Sequence, residues 1–214
     1  MRFVFLEASL ETIPPEIADH EVVRRDAKRR GKRPEEILLD DSKHHRAMEG
    51  LENREKRGRP DIVHQCLLAL LDSSLEDFEV YVHTVAGKVI RVNRKTRLPR
   101  NYNRFVGLME DLFRKGKISA GGDVLLEIVD VGIDELISRN AVVMHEGYDV
   151  RPLLEAAGSE GLVVCIGAFP HGDFDDELWR IFEEKGVRFA GFGDRPRTSL
   201  YVTYKTVCIL EGFS

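Results

Sequence analysis

Long apolar runs are missing from this sequence of 214 residues. No stretch of about 18 apolar residues is present that could form a membrane-spanning helix. The first residues, MRFVFLEASLETIPPE, reach acidic side chains too early for a secretory signal peptide. We therefore expect a protein without membrane contacts that works in the cytoplasm.

Cysteine is also scarce, with three residues in the whole chain. Cys66, Cys165 and Cys208 are odd in number, far apart and each set in an apolar run. This arrangement predicts reduced thiols in the core and argues against a disulfide framework or a zinc site. No metal site is expected, and the segment DDSKHH, Asp40 to His45, is predicted to be a solvated turn.

Acidic residues outnumber basic ones, and the formal net charge is −5. That balance argues weakly against nucleic acid, since phosphates repel carboxylates. The charge is unevenly distributed, however. RRDAKRRGKR has seven bases and one acid, KVIRVNRKTRLPRNYNR has seven bases and no acid, and acids gather towards the C-terminus. This asymmetry predicts a nucleic-acid-binding face on the first half of the chain.

The hydrophobic pattern alternates between strand and helix periods along the chain. Strands are predicted at RFVFLE, EILLD, DVLLEIVD, AVVMHEG, GLVVCIGAF and VRFAGFG, and FEVYVHT with KVIRV forms a predicted hairpin. Helices are predicted at DHEVVRRDAKRRG, PDIVHQCLLALLDS, NYNRFVGLMEDLFRKG, RPLLEAAG, DDELWRIFEEKG and SLYVTYKTVCILEG. Such alternation predicts an α/β fold with a mostly parallel sheet and helices on both faces.

Two glycine-containing loops follow successive strands late in the chain, in VVCIGAFPHGDF and RFAGFGDRPRTS. Neither matches a P-loop or a dinucleotide fingerprint, and each alone is compatible with a plain turn. Because glycines after parallel strands let a ligand approach exposed amides, the pair predicts a pocket for an adenosine-sized ligand. His64, one turn into a helix, is predicted to be a structural histidine.

Three longer strings resemble a known family: DDSKHHRAMEGLENREKRGRPDIVHQCLLALLDS, HTVAGKVIRVNRKTRLPRNYNRFVGLMEDLF and IGAFPHGDF. They are similar to the ribosome-biogenesis enzymes that methylate ring nitrogen 1 of a pseudouridine in small-subunit rRNA. These enzymes belong to the SPOUT class of S-adenosylmethionine-dependent methyltransferases. The resemblance implies one domain over residues 1–214, an α/β fold with a C-terminal trefoil knot, and a basic insertion with a β-hairpin at about residues 78–104. It also implies a homodimer, with other ribosome-assembly factors as candidate partners.

The resemblance further implies which residues contact the cofactor, S-adenosylmethionine. They are Gly167, Ala168, Phe169, Gly172, Gly191, Phe192, Gly193, Asp194, Arg195, Pro196, Arg197, Thr198 and Ser199. The chain reads PRTS before its last helix, where relatives tend to read Pro-Leu-Thr-Ala. The side-chain contacts of that loop therefore do not follow from the resemblance, although its backbone amides can still bind the cofactor.

RNA contacts are implied for Arg59, Arg97, Arg100 and Arg104, with Asp61 beside the target base. Arg59 and its neighbours are expected to meet phosphate or base, and Asp61 is expected to accept a hydrogen bond from the ring N–H. A purely structural role for Asp61, at the helix start or in an ion pair with arginine, fits the same pattern. Two alternatives stay open: an rRNA-binding assembly factor with dispensable methylation, and a SPOUT enzyme acting on a tRNA base or a ribose.

Overall fold

Eight strands form one mixed sheet in the computed structural model, which describes residues 1–212. They are β1 Arg2–Ala8, β2 Glu79–Thr84, β3 Val89–Val92, β4 Lys117–Ala120, β5 Asp123–Val129, β6 Ala141–Met144, β7 Val163–Gly167 and β8 Arg188–Ala190. Their order across the sheet is β4, β5, β3, β2, β1, β7, β6, β8. The five strands β2, β1, β7, β6 and β8, which are neighbours in this order, run parallel to one another, as predicted. The predicted hairpin of β2 and β3 is confirmed, and β5 and β4 extend it with further antiparallel pairs.

Six of the eight α-helices in the described residues lie at predicted positions. The eight helices are α1 Glu21–Arg30, α2 Asp41–His44, α3 Pro60–Leu71, α4 Tyr102–Lys115, α5 Ile133–Leu136, α6 Arg151–Ala156, α7 Asp176–Lys185 and α8 Ser199–Leu210. The one-turn helices α2 and α5 were not predicted, since a single turn leaves no repeating apolar pattern. Helix α4 ends where expected, because Gly116 adopts the left-handed conformation that suits a helix end.

The predicted strand at EILLD is wrong. A short 3-10 helix ends at Glu36, and Asp40 already caps α2, so three residues are left between them. Those residues are buried, and the contact with the chain near Thr12 is a single bridge to Leu38 rather than a strand pairing. The run of apolar residues that predicted a strand therefore reflects burial of these side chains and not strand pairing.

Side chains alternate between two cores along the central strands. Phe3 and Phe5 of β1 belong to one core, which is covered by α3, α4, α6 and α8. Val4 and Leu6 belong to the other, which is covered by α5 and α7. Because each fully buried side chain of this kind contributes about 1.5–3 kcal/mol, both faces hold the sheet in place. The predicted placement of helices on both faces is confirmed.

Two of the three cysteines lie in these cores. Cys66 and Cys165 are buried, as predicted, whereas Cys208 on α8 is half buried. Burial raises the pKa of the Cys66 and Cys165 thiols to about 12, so both remain protonated and unreactive near neutral pH. Among residues 1–212, no helix is both long and apolar enough to cross a membrane.

The chain crosses itself closely after β8. Gly191 N donates to Asp149 O at 3.1 Å, and His145 N donates to Ala190 O at 2.8 Å. A Cβ on Gly191 would lie 2.1 Å from the carbonyl oxygen of His145, so no larger residue fits there. This crossing lies in the C-terminal region where the trefoil knot is expected.

Candidate active site

A cavity of about 590 Å³ opens at the carboxyl ends of three neighbouring parallel strands. Its walls come from the loops after β6, β7 and β8, the last of which leads into α8. The lining residues are Met144, His145, Glu146, Ile166, Gly167, Phe169, Pro170, His171, Gly172, Asp173, Phe174, Gly191, Phe192, Gly193, Arg195, Pro196, Arg197, Ser199 and Val202. This edge of an α/β sheet is where such folds bind ligands, and the volume suits a nucleoside-sized molecule.

The two loops that were predicted as a pocket do meet in this cavity. Of the thirteen predicted cofactor residues, ten line it: Gly167, Phe169, Gly172, Gly191, Phe192, Gly193, Arg195, Pro196, Arg197 and Ser199. Ala168, Asp194 and Thr198 do not. Ala168 is buried and its amide donates to Leu6 O at 2.9 Å, while the Thr198 hydroxyl accepts from Tyr201 N and caps α8.

The loop after β6 completes the cavity and was missed from the sequence. Met144, His145 and Glu146 line the wall that this loop provides. His145 Nε2 lies 3.0 Å from Asp173 Oδ1, which joins this loop to the one after β7. The sequence carries the same signal here as in the other loops, a buried strand followed by Gly147. What it lacks is the sheet order that makes β6 the neighbour of both β7 and β8.

The cavity offers apolar walls and polar ends. Met144, Ile166, Phe169 and Phe192 present apolar surface suited to an aromatic base. The loops also bring charges of both signs, with Glu146 and Asp173 against Arg195 and Arg197. Gly193 and Gly172 have positive φ, so the backbone turns here without side chains that would fill the space. The arrangement fits a ligand that has an aromatic base and a zwitterionic end.

A second cluster lies at the start of α3. Arg59 Nε is 2.8 Å from Asp61 Oδ1, and Arg59 Nη2 is 2.8 Å from Asp61 Oδ2. Hydrogen bonding to Asp61 raises the pKa of the Arg59 guanidinium. Both side chains remain accessible, at 42% for Arg59 and 32% for Asp61. The Arg59 amide donates to Ser9 Oγ at 2.7 Å, which fixes the helix start onto the loop after β1.

In the segment just before α3, Lys56 and Arg57 pair with acids inside the protein, whereas Arg54 is exposed. Lys56 forms a buried ion pair with Glu7 at 2.7 Å, and Arg57 pairs with Glu11 through two contacts of 2.7 Å. The expectation that the neighbours of Arg59 meet RNA is therefore wrong for Lys56 and Arg57. The acids that neutralise them are Glu7, near the end of β1, and Glu11, just after it, and the sequence alone could not place them next to this segment.

The two basic runs differ in how much charge they leave exposed. In the first run, Arg30 and Lys32 both contact the buried carboxylate of Glu110 at 2.6 Å, so part of that run is structural. In the second run, Arg97 and Arg104 are exposed, and neither has an acidic partner within the part of the chain that the structure describes. Arg100 makes one long contact of 3.4 Å to Asp72, with both side chains mostly exposed. The predicted RNA arginines of the second run are thus available.

Two predicted structural roles can be compared directly with the structure. His64 is buried, stacks on Phe105 with 4.2 Å between ring centroids, and has Nε2 2.7 Å from Pro99 O. The prediction of a structural histidine is confirmed. The predicted solvated turn at DDSKHH is wrong, because His44 is buried and its Nδ1 accepts from Asp40 N.

The fold and the cavity define an α/β protein with a ligand site at the carboxyl ends of its parallel strands. The chain belongs to the EMG1/NEP1 methyltransferase family, whose sequence model matches residues 3–208. It is 57% identical to the ribosomal RNA small subunit methyltransferase Nep1 of Archaeoglobus fulgidus over 98% of this chain and 94% of that protein. It is 44% identical to the protein of the same name from Saccharolobus solfataricus, over 90% and 89%.

A solved structure agrees with this assignment. The crystal structure of Archaeoglobus fulgidus Nep1 bound to S-adenosylhomocysteine superposes with a TM-score of 0.93 and 57% identity. The match covers 99% of this chain and 97% of that one. The predicted SPOUT-type α/β fold is confirmed by this similarity.

Proposed function

We propose that this protein transfers a methyl group from S-adenosylmethionine to small-subunit rRNA during ribosome biogenesis. The observation that carries the proposal is the cavity formed by the loops after β6, β7 and β8, in a chain that superposes on a relative bound to S-adenosylhomocysteine. Its size and its mixed apolar and charged lining fit that product and its parent cofactor. We also propose that the reaction takes place in the cytoplasm.

The ten lining residues predicted from the sequence, together with Met144, His145 and Glu146, would hold the cofactor. When bound, S-adenosylmethionine supplies an electrophilic methyl group on its sulfonium sulfur. The apolar residues would exclude water around the base, while the exposed backbone near Gly193 would offer hydrogen-bonding groups. Asp194 and Thr198 would act through the loop's shape and the cap of α8 instead of through direct side-chain contact.

We propose ring nitrogen 1 of a pseudouridine as the methyl acceptor. In that reaction nitrogen 1 would release its proton to solvent, a bond would form between nitrogen 1 and the methyl carbon, and the bond from that carbon to the sulfonium sulfur would break, which leaves S-adenosylhomocysteine. Asp61 would accept a hydrogen bond from the N1–H, and Arg59 would stabilise the negative charge that develops on the ring. Arg97, Arg100 and Arg104 would contact phosphates or bases of the RNA.

We further propose that the protein acts as a homodimer, with other assembly factors as candidate partners. Helix α8 packs against α3 and carries an outer apolar surface, with Leu200, Tyr201 and Tyr204 exposed at 36%, 41% and 61%. These large exposed side chains on one helix support the proposal that a second copy covers this surface. Arg97 and Tyr204 line the same groove, which lies between α3, α8 and the basic segment of residues 88–104, so this surface adjoins the proposed RNA contacts.

Methylation of short RNAs tests the proposal. The purified protein, S-adenosylmethionine and a small-subunit rRNA fragment that contains one pseudouridine should yield a product heavier by one methyl group, and the same fragment with uridine should not. If the methyl group is transferred to uridine or to a ribose instead, the proposed target is wrong. Absence of transfer despite tight RNA binding would favour an assembly factor, and mass analysis of rRNA from cells lacking the gene would check either outcome.

A thermal melt tests the cofactor site independently. S-adenosylhomocysteine at a hundred times its dissociation constant should stabilise the folded state by about 2.7 kcal/mol. A protein of this size should then melt on the order of 5 °C higher. An unrelated nucleotide that stabilises the protein equally, or a melt that S-adenosylhomocysteine leaves unchanged, would contradict the assignment.

A further inference from the structure

Lys56 and Glu7 form an ion pair deep inside the protein. Lys56 Nζ lies 2.7 Å from Glu7 Oε1, and the two side chains are only 7% and 6% exposed. Glu7 has a φ of 44°, a left-handed conformation that a glutamate adopts at a cost in free energy. Such a conformation persists where surrounding contacts hold it, and both carboxylate oxygens of Glu7 accept hydrogen bonds, from Lys56 and from the Asp175 amide.

Lys56 supports the loop that follows β7. Its Nζ lies 5.1 Å from the centroid of the Phe169 ring, a cation–π contact. A Cβ on Gly172 would lie 3.4 Å from Lys56 Cε, so the lysine stem lies directly behind this glycine. Phe169 and Gly172 both line the proposed cofactor cavity. The position of this wall therefore depends on Lys56.

Lys56 also belongs to the segment that presents Arg59. The two residues are three positions apart, and the Arg59 amide donates to Ser9 Oγ at 2.7 Å. Ser9 N in turn donates to Ala168 O at 2.9 Å, within the same loop after β7. The second carboxylate oxygen of Glu7 accepts from Asp175 N at 3.3 Å, at the start of α7. The start of α3 and the cofactor loop are thus joined through two independent sets of contacts.

We infer that Lys56 is a positioning residue shared by both sites, through which cofactor and RNA bind with positive coupling. The inference rests on the proposed methyl transfer to RNA. A cofactor that presses on Phe169 and Gly172 would fix Lys56 and hence the Arg59–Asp61 pair in position for RNA. By thermodynamic reciprocity, bound RNA would tighten cofactor binding by the same factor.

Arg57 provides a matched control. It forms an ion pair with Glu11 that is also largely buried, at 15% and 5% exposure, one residue along the chain. Its remaining contact is with the carbonyl of Glu52, away from the cavity lining. Loss of Arg57 therefore removes a comparable buried pair without removing the support behind Phe169.

The test compares the dissociation constant of S-adenosylhomocysteine with and without saturating rRNA fragment. The wild type should show coupling of about fivefold or more in both directions. Lys56→Met should reduce the factor to about twofold or less, because only the contacts through Ser9 still join the two sites. Lys56→Arg should restore much of the coupling, and Arg57→Met should keep it. The double variant Glu7→Gln with Lys56→Met leaves no unpaired buried charge. If Lys56→Met alone fails to fold, the double variant tests the same loss of coupling.

The outcomes separate this inference from the proposed function. Full coupling in Lys56→Met or in the double variant would overturn the positioning role, as would an equal loss of coupling in Arg57→Met. A wild type that binds both ligands without coupling would overturn the inference and leave methyl transfer in place. A wild type that binds neither ligand would overturn the proposed function itself.

Discussion

Arg59 and Asp61 form a two-point ion pair at the start of α3, with both nitrogen–oxygen distances at 2.8 Å. The pair holds the arginine side chain against the first turn of the helix that presents the aspartate. Asp61 already accepts hydrogen bonds on both oxygens, and a carboxylate retains further lone pairs for another donor. This geometry suits Asp61 to act as an oriented hydrogen-bond acceptor next to a cation. It suits Asp61 less well to act as a free carboxylate base.

Replacement of Asp61 by asparagine should separate methylation from binding. Asp61→Asn should lower the single-turnover methylation rate by at least tenfold, because the oriented acceptor loses its charge. RNA affinity should change by less than about threefold, and stability by less than about 1 kcal/mol, since the pair is half exposed. Asp111→Asn, which breaks an exposed ion pair with Arg114 on α4, is the control. A wild-type rate in Asp61→Asn would leave Asp61 a purely structural role.

The exposed arginines of the basic segment should govern the salt dependence of RNA binding. If Arg97, Arg100 and Arg104 contact phosphates of a single strand, each should contribute about 0.7 to the slope of log affinity against log salt. The triple alanine variant should therefore flatten the slope by about 2 units. Fluorescence anisotropy at several salt concentrations measures it.

The same segment offers two controls. Arg91→Ala removes an exposed base that pairs with Glu127, so it should leave the slope nearly unchanged. Arg94→Ala should instead destabilise the fold, because Arg94 donates to the carbonyls of Leu71 and Ser73 at the end of α3. A triple variant that binds RNA with the wild-type slope would remove the basic segment from the interface.

Local pattern was sufficient for most elements of this fold. The apolar repeat of α4 and the glycine after it fixed both the helix and its end, and the two loops after β7 and β8 were recognised from glycine after a buried strand. In these places the signal lies within the residues that form the structure. The same holds for His64, whose position on an apolar helix face indicated a core residue.

Long-range pairing could not be predicted. Lys56 and Arg57 appeared to be RNA contacts because their partners, Glu7 and Glu11, are about fifty residues away in sequence. His145 was missed for a related reason, since only the order of strands places its loop between those after β7 and β8. Which charges neutralise one another and which strands are neighbours depend on the whole fold. Neither can be read from one sequence.

Gly191 should tolerate no side chain. In Gly191→Ala the new Cβ would meet backbone oxygens of His145 at 2.1 Å and of Tyr148 at 2.9 Å, so one of the two crossing segments must move. We expect a loss of at least about 3 kcal/mol in stability together with weakened cofactor binding. Gly107 within α4 is the control, because a Cβ there meets open space. Gly107→Ala should stabilise the protein by up to about 1 kcal/mol, as measured by urea unfolding.

One buried histidine, His44, and one half-buried histidine, His83, should make the protein less stable below neutral pH. Burial lowers the pKa of His44 and His83 from the ordinary value of 6.5, so both stay neutral in the folded state while the unfolded chain takes up protons. The unfolded state therefore binds more protons as pH falls below about 6.5. The free energy of unfolding should decrease by up to about 1.4 kcal/mol per pH unit for each histidine until the folded state also protonates.

Urea unfolding between about pH 7 and pH 5 measures this effect. His44→Asn keeps an acceptor near the Asp40 amide and should flatten the pH dependence by about one proton. His83→Asn should do the same, and the double variant should remove both contributions. If the stability of the double variant depends on pH as steeply as that of the wild type, groups other than these two histidines cause the pH dependence.

The apolar surface of α8 should hold two copies of the chain together. The wild type should scatter light as a particle of about 49 kDa, twice the 24.4 kDa chain, even at low concentration. Tyr204→Glu places a charge at the most exposed aromatic residue of that helix and should produce monomers. Tyr148→Glu is the control, because Tyr148 stacks on Phe189, which packs with the core on the opposite face of the sheet from α8. A wild-type monomer that methylates RNA at full rate would refute the homodimer, whereas a dimeric Tyr204→Glu variant would place the interface elsewhere on the surface.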